Sequence, residues 1–291
     1  MEKMDVVFVI LHYMTDKDTV ECVDSVRKFI DTPKYKIIIV DNYSNNGSLE
    51  HLKEEYSRVN DIIFLENEDN LGFARGLNKG IFYARKLYTP QFIAAINNDT
   101  MLIEPGIFKI LSRKYENYKF AVLGPMIITK DGKCNINPIR SAIRDKAEVR
   151  RSIHRYKKII TLCNLHLYTL YQCLSSISKK PEKKYSDAYL SDQIDYKLHG
   201  AFWVFSEIYF TKFNGLDDST FLYGEEDILY LHLMKNGLHS LYTPEIVIYH
   251  KEDSSTNEAI PKSHKKVRFV SENCVQSLYK YVALLEEYED I

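Results

Sequence analysis

The chain has 291 residues, 45% of them hydrophobic and 27% charged, with a formal net charge of −1. This is the composition of an ordinary folded domain, and so small a charge excludes the broad positive field of a nucleic-acid binder. Its five cysteines (Cys22, Cys134, Cys163, Cys173 and Cys274) are scattered, without a CxxC pair or zinc-ligand spacing, which fits a reducing compartment.

The charged start Met1–Asp5 leads into Val6–Leu11, too short an apolar run for a signal-peptide core and its cleavage site, or for a bilayer span. A cytoplasmic protein is expected. Val6–Leu11, Ile37–Val40, Ile62–Leu65 and Phe92–Ile96 are continuous apolar runs, as parallel strands covered on both faces require. Amphipathic segments near Asp18–Ile30, Ser48–Ser57 and Phe73–Leu87 separate them. The alternation predicts an α/β fold: an open, mostly parallel wound sheet with helices on both faces. Such sheets bind ligands beyond the carboxyl ends of their strands. Those ends are polar here: Asp41–Ser44, Asn67–Asn70 and Asn97–Asp99. Gly72, Gly76 and Gly80 match neither G-x-G-x-x-G nor the Walker pattern. Gly72 is read as a turn, and Gly76 and Gly80 as places where a helix approaches the sheet closely.

Texture changes near Ser141 and again near Ser191, dividing the chain into 1–140, 141–190, 191–260 and 261–291. Basic residues from Arg144 to Lys158 and from Lys179 to Lys184 bracket a stripe, Ile153, Tyr156, Ile160, Cys163, Leu167, Leu170, Leu174 and Ile177, spaced as one unbroken helix. Two readings stay open. The helix packs on its own domain or on a sister subunit, giving a homodimer. Alternatively it rests on an anionic membrane as a peripheral contact, with its basic ends on the lipid. A closing helix carries Val267, Val270, Cys274, Leu278, Tyr281 and Leu285 on its apolar side.

Asp99 directly follows an apolar strand and is either a turn residue or a metal ligand. His250 ends Ile246–Tyr249 and is either structural or a ligand. Glu225, Glu226 and Asp227 follow the aromatic run Phe221–Gly224. Acids there complement a helix start, and apolar enclosure raises a carboxyl pKa towards general-base duty.

Taken in order, Val40-Asp41-Asn42-Tyr43-Ser44, Asn70-Leu71-Gly72-Phe73-Ala74 with Asn78-Lys79-Gly80, Asn97-Asn98-Asp99-Thr100, His199-Gly200-Ala201-Phe202, Phe221–Asp227 and Tyr249-His250-Lys251 resemble the family 2 glycosyltransferases. Within that family they look most like bacterial rhamnosyl- and galactosyl-type enzymes of capsule and other surface polysaccharide assembly. The resemblance implies the GT-A fold. It also implies inverting hexosyl transfer from a nucleotide-diphosphate sugar, such as a UDP- or dTDP-sugar, to a saccharide acceptor, lipid-linked at the inner face of the cell membrane. Residues 1–140 would then bind the nucleotide sugar, and 191–260 the acceptor. Asp41 and Asn42 match the pair that contacts base and ribose. Leu11 and Tyr13, Asn70, Gly72 and Phe73, Asn78, and Asn98 complete the donor surface, with His199, Gly200 and Ala201 forming the turn beside the sugar. Asp99 corresponds to the Mn²⁺ or Mg²⁺ ligand, although Asn97 and Asn98 replace the acids that usually precede it. His250 matches the imidazole that joins the metal in some members. Glu226 aligns with the catalytic base; the usual acid two positions on is Ile228, so Asp227 stays a rival. A sugar-nucleotide nucleotidyltransferase would need a glycine- and basic-rich early loop, whereas Leu11–Asp18 has no glycine and only Lys17. An inactive GT-A scaffold is the other alternative, opposed by the Glu225-Glu226 pair and His250.

Overall fold

The computed structural model describes residues 1–171, 187–252 and 264–289. In chain order it contains β1 (Glu2–His12), α1 (Asp16–Phe29), β2 (Tyr35–Asp41), α2 (Ser48–Glu55), β3 (Ile62–Glu66), α3 (Phe73–Leu87), β4 (Tyr88–Asn97) and β5 (Thr100–Leu102). There follow α4 (Ile107–Tyr118), β6 (Val122–Thr129), α5 (Lys146–Asn164), β7 (Gln193–Ile194), β8 (Phe202–Ser206), α6 (Glu225–Lys235), β9 (Ser240–His250) and α7 (His264–Glu287).

One open sheet runs β3-β2-β1-β4-β8-β6-β9-β5, with β7 also on β9. The first half, β3 to β4, is parallel throughout, as the apolar runs require. The second half is mixed. β8 lies antiparallel between β4 and β6, β6 runs parallel to β9, and β5 and β7 pair antiparallel with β9.

Burial on both faces explains the unbroken apolar strands. On β1, Val6, Phe8 and Ile10 enter one core with Cys22, Val23 and Val26 of α1 and Leu111 of α4. Val7 and Val9 point the other way, into a core with Ala74, Leu77, Ile81 and Ala84 of α3 and Leu229 and Leu233 of α6. The small residues of α3 matter: a Cβ at Gly76 would lie 2.6 Å from Leu11 Cδ1, and one at Gly80 would lie 2.4 Å from Val9 Cγ1. Close helix–sheet approach is therefore their role.

A third cluster joins Val149 and Ile153 of α5, Ile228 and Leu231 of α6, and Leu278, Tyr281 and Leu285 of α7. The buried side of α5 is thus covered within the same chain. The stripe is not one unbroken helix, however. α5 stops at Asn164, and His166 takes a left-handed φ of 56°. The Leu167 N–H then returns to Leu162 O and the His166 N–H to Cys163 O, the Schellman pattern. α6 ends by the same two bonds around Gly237, whose φ is 63°. With His at the left-handed position of α5, no glycine announced the stop. Leu174, Ile177 and the Lys179–Lys184 cluster lie outside the described residues. No described helix is long and apolar enough to cross a membrane.

Candidate active site

The chain leaves β4 at mid-sheet and within three residues is paired with β9 at the far side. That excursion, Asn97–Asp99, opens the sheet edge. It is fixed by the Asn97 N–H on Ala201 O, the Lys251 N–H on Asp99 O, and the register of Thr100 opposite His250. The result is a pocket of about 700 Å³ beyond the carboxyl ends of the parallel strands. Leu11, Tyr13, Asn42, Asn70, Gly72, Phe73, Asn98, Asp99, His199, Gly200, Ala201, Glu226 and His250 all line it. So do Asn97, Phe221, Leu222, Tyr223 and Glu225, and with them Glu252 and Phe269, which had no role from sequence. Asp41, Asn78 and Asp227 are absent from its wall.

The three consecutive acids diverge because successive helical residues point about 100° apart. Gly224, with a φ of 93°, opens α6. Glu226 faces the pocket, and its Oε1 accepts the Gly200 N–H at 3.2 Å. Asp227 turns away into ion pairs with Arg144 Nη1 at 2.9 Å and Lys197 Nζ at 2.6 Å. Glu225 is buried, its Oε1 3.4 Å from the Thr220 hydroxyl, and burial pushes its carboxyl up to about 8, with help from Glu226.

The same pocket holds Asp99 and His250, Oδ1 to Nε2 at 3.2 Å, with both side chains buried. Two cis ligands about 2.1 Å from one octahedral ion are separated by about 3 Å. A buried carboxylate oxygen and imidazole nitrogen at that spacing suit Mg²⁺ or Mn²⁺. Among the described residues no third His, Cys, Asp or Glu completes a metal cluster. Such an ion would take its remaining ligands from substrate oxygens and water, as magnesium sites commonly do. The ring of His199 packs edge-on against that of His250, centroids 5.7 Å apart, and burial lowers the pKa of His199.

The parallel half is wired differently. Asn42 sits at the pocket wall, but its amide is engaged within the protein. Nδ2 donates to Asn70 Oδ1 and Gly72 O, and Oδ1 accepts from Asn67 Nδ2 and the Leu71 N–H. This network shapes the turn at Gly72, where φ is 79° and a Cβ would fall 2.1 Å from Phe221 O. Only glycine permits the Phe73 N–H to reach that oxygen at 2.9 Å. Asn78 ties α3 to both polar atoms of the Leu216 backbone. Asp41 caps the Ser44 N–H, and burial raises its pKa. Asn98 donates to Thr15 and Thr19. Thr19 also meets His12 Nδ1 at 2.7 Å, while His12 Nε2 meets the Ser48 hydroxyl at 2.9 Å. Burial drags the His12 pKa down to about 4, so the ring is neutral.

Helix α7 closes the pocket. Its Phe269 lines the wall, and Ser277 Oγ donates to Leu222 O at 3.0 Å, bracing the loop before the acids. Phe269 lies among apolar neighbours on a long helix, so no sequence signal distinguished it. Phe221–Tyr223 were visible as an enclosing aromatic run.

The family model for glycosyl transferase family 2 matches residues 7–186. The chain belongs to that family. Comparison with curated proteins gives no match. Among solved structures, GalNAc-T7 with UDP, GalNAc and Mn²⁺ superposes with a TM-score of 0.61 at 14% identity, covering 99% of this chain and 50% of that one. S. aureus TarS 1–349 gives 0.54 at 11% identity, over 96% of this chain and 71% of that one. Its complex with UDP gives 0.53 at 13%, over 92% and 65%. The chain thus spans half the length of the GalNAc-T7 chain. At these identities the likeness is one of fold, and the fold is GT-A.

Proposed function

We propose that the protein transfers a hexosyl group from a UDP- or dTDP-sugar to a hydroxyl of a saccharide acceptor, with inversion at the anomeric carbon. The observation that carries this is that one pocket brings together a backbone-oriented Glu226 carboxylate and the Asp99–His250 pair. Glu226 takes the proton of the acceptor hydroxyl. The acceptor oxygen forms its bond to the anomeric carbon as the bond from that carbon to the diphosphate oxygen breaks, and the diphosphate keeps the electron pair. Mn²⁺ or Mg²⁺ held by Asp99 and His250 supplies charge neutralisation at the diphosphate when bound. The Gly200 N–H keeps Glu226 aimed, and Phe221, Phe73 and Phe269 give the pocket an apolar part of its wall.

Bacterial surface polysaccharide synthesis on a lipid-linked acceptor is the setting this reading favours. Leu165, Leu167 and Leu170 are exposed at 61%, 45% and 58%. They follow α5, whose last three turns carry Arg155, Lys157 and Lys158, and the segment they occupy meets the start of α7 through Thr169 and His264. Such a surface suits peripheral contact with an anionic bilayer. Leu167→Glu with Leu170→Glu should abolish salt-sensitive co-sedimentation with anionic vesicles and leave the melting temperature nearly unchanged.

The central test is a panel of UDP-, dTDP- and GDP-sugars with Mn²⁺, read by thermal shift and by transfer to glycan acceptors. A UDP- or dTDP-sugar should raise the melting temperature by mass action and yield product of inverted anomeric configuration. Condensation of a sugar phosphate with a nucleoside triphosphate would make the protein a nucleotidyltransferase instead. Donor binding without turnover would make it a scaffold.

A further inference from the structure

Among the described residues, the pocket wall has an electrostatic gap. A nucleoside diphosphate is strongly anionic, yet none of the described residues lining the pocket is Lys or Arg, while Asp99, Glu225, Glu226 and Glu252 are all there. The turn 199–201, beside the Asp99–His250 pair, is where backbone N–H groups would ordinarily gather round an anion. Here all three are already engaged. The His199 N–H donates to Asn137 Oδ1 at 3.0 Å, the Gly200 N–H to Glu226 Oε1 at 3.2 Å, and the Ala201 N–H to His199 Nδ1 at 3.1 Å.

The last of these bonds decides the chemistry of the ring. Nδ1 accepts, so it carries no proton, and the proton of the neutral imidazole sits on Nε2. Nε2 lies across the ring from the turn. His250 is arranged otherwise: its Nε2 faces Asp99 at 3.2 Å, and its Nδ1 is buried without a hydrogen-bond partner. Two adjacent imidazoles thus have opposite capacities. His250 can give a cation the Nε2 lone pair once the ring proton resides on Nδ1; His199 has its Nδ1 committed as acceptor from its own turn, which leaves Nε2 as donor.

We propose that His199 is a donor-diphosphate contact of this pocket: its Nε2–H donates to a phosphate oxygen of the nucleotide and does not ligate metal. The inference rests on the nucleotide-sugar reading above and adds to it an atom, a tautomer and a role independent of the cation.

The experiment is a calorimetric titration run to millimolar nucleotide, with UDP and dTDP as probes. Wild type, His199→Ala, His199→Gln and His250→Ala are each titrated with Mn²⁺ and again in EDTA. A hydrogen bond to a charged group predicts that His199→Ala weakens binding roughly tenfold to a hundredfold. The factor should be the same with and without metal. His199→Gln, whose amide N–H₂ reaches the Nε2 position, should recover most of the loss. This separates a lost donor from a disturbed turn. His250→Ala should weaken binding only in Mn²⁺. An effect of His199→Ala that vanishes in EDTA makes His199 a metal ligand and overturns the proposal. So does equal weakening by Ala and Gln, or no weakening by either. Failure of the wild type to bind UDP or dTDP under either condition instead overturns the nucleotide-sugar reading, and this inference with it.

Discussion

The two halves of the sheet bring polar side chains to the same edge and use them in opposite ways. In the parallel half, Asn42, Asn98, Asp41 and His12 turn their hydrogen-bonding groups on neighbouring side chains and nearby backbone. They build the floor and its turns. In the mixed half, Glu226, His199 and His250 line the pocket, each with one polar contact described for its side chain. A polar strand end therefore marks where a site lies, but the count of internal partners tells which residues remain available for chemistry. Asp227 makes the point within one helical turn: one residue from Glu226, it is consumed by Arg144 and Lys197.

The largest effect expected from this contrast is at Glu226. Glu226→Gln should lower turnover by roughly 10²–10⁴-fold with little change in UDP affinity. Asp227→Asn should act on stability, costing about 3 kcal/mol by leaving two cations poorly paired, as read by urea unfolding. A stable but inactive Asp227→Asn beside an active Glu226→Gln would reverse the assignment. Next, Asp99→Ala should remove the Mn²⁺-dependent part of UDP-sugar binding, and His250→Ala should weaken it less. Full transfer activity in excess EDTA would end the metal reading.

The parallel half should respond in stability. His12 stays neutral in the fold down to about 4, whereas its ordinary value is 6.5. Between those values the unfolded chain takes up a proton that the folded chain refuses, so stability is full above pH 6.5 and falls as pH drops towards 4. A gap of that size is worth about 3 kcal/mol at most. His12→Gln should flatten this slope in denaturant titrations run from pH 7 to pH 4. Smallest is Asn42→Ala, which strands the partners of its amide and should cost about 2 kcal/mol. A large loss of UDP affinity at unchanged stability would instead return Asn42 to the ligand.

The parallel half of the fold was legible because its signal is local. Val6–Leu11 and its counterparts are apolar on both faces, and α3 repeats its small and apolar residues at helical spacing. The site's location was legible for the same reason, through the polar residues that end each strand. Partnership was not. Whether Glu226 or Asp227 faces the pocket depends on Arg144 and Lys197, which lie 83 and 30 residues away in sequence. The stop at His166 was hidden because a non-glycine residue adopts the left-handed turn. Phe269 was hidden because an apolar helix position looks alike whether it meets a core or a pocket.

Helix α7 gives the pocket a remote handle. Its first turns supply Phe269, its middle braces Leu222 through Ser277, and its later turns, at Leu278, Tyr281 and Leu285, are anchored in the third core cluster. Occupancy of the pocket and docking of this helix are therefore linked equilibria, and linkage is reciprocal. A bound nucleotide should slow amide exchange along the whole of α7, as far as Leu285, about 24 Å along the helix axis from Phe269. Conversely, loosening the helix at Leu285 should weaken nucleotide binding by the same factor by which the nucleotide tightens the helix, although Leu285 touches no ligand.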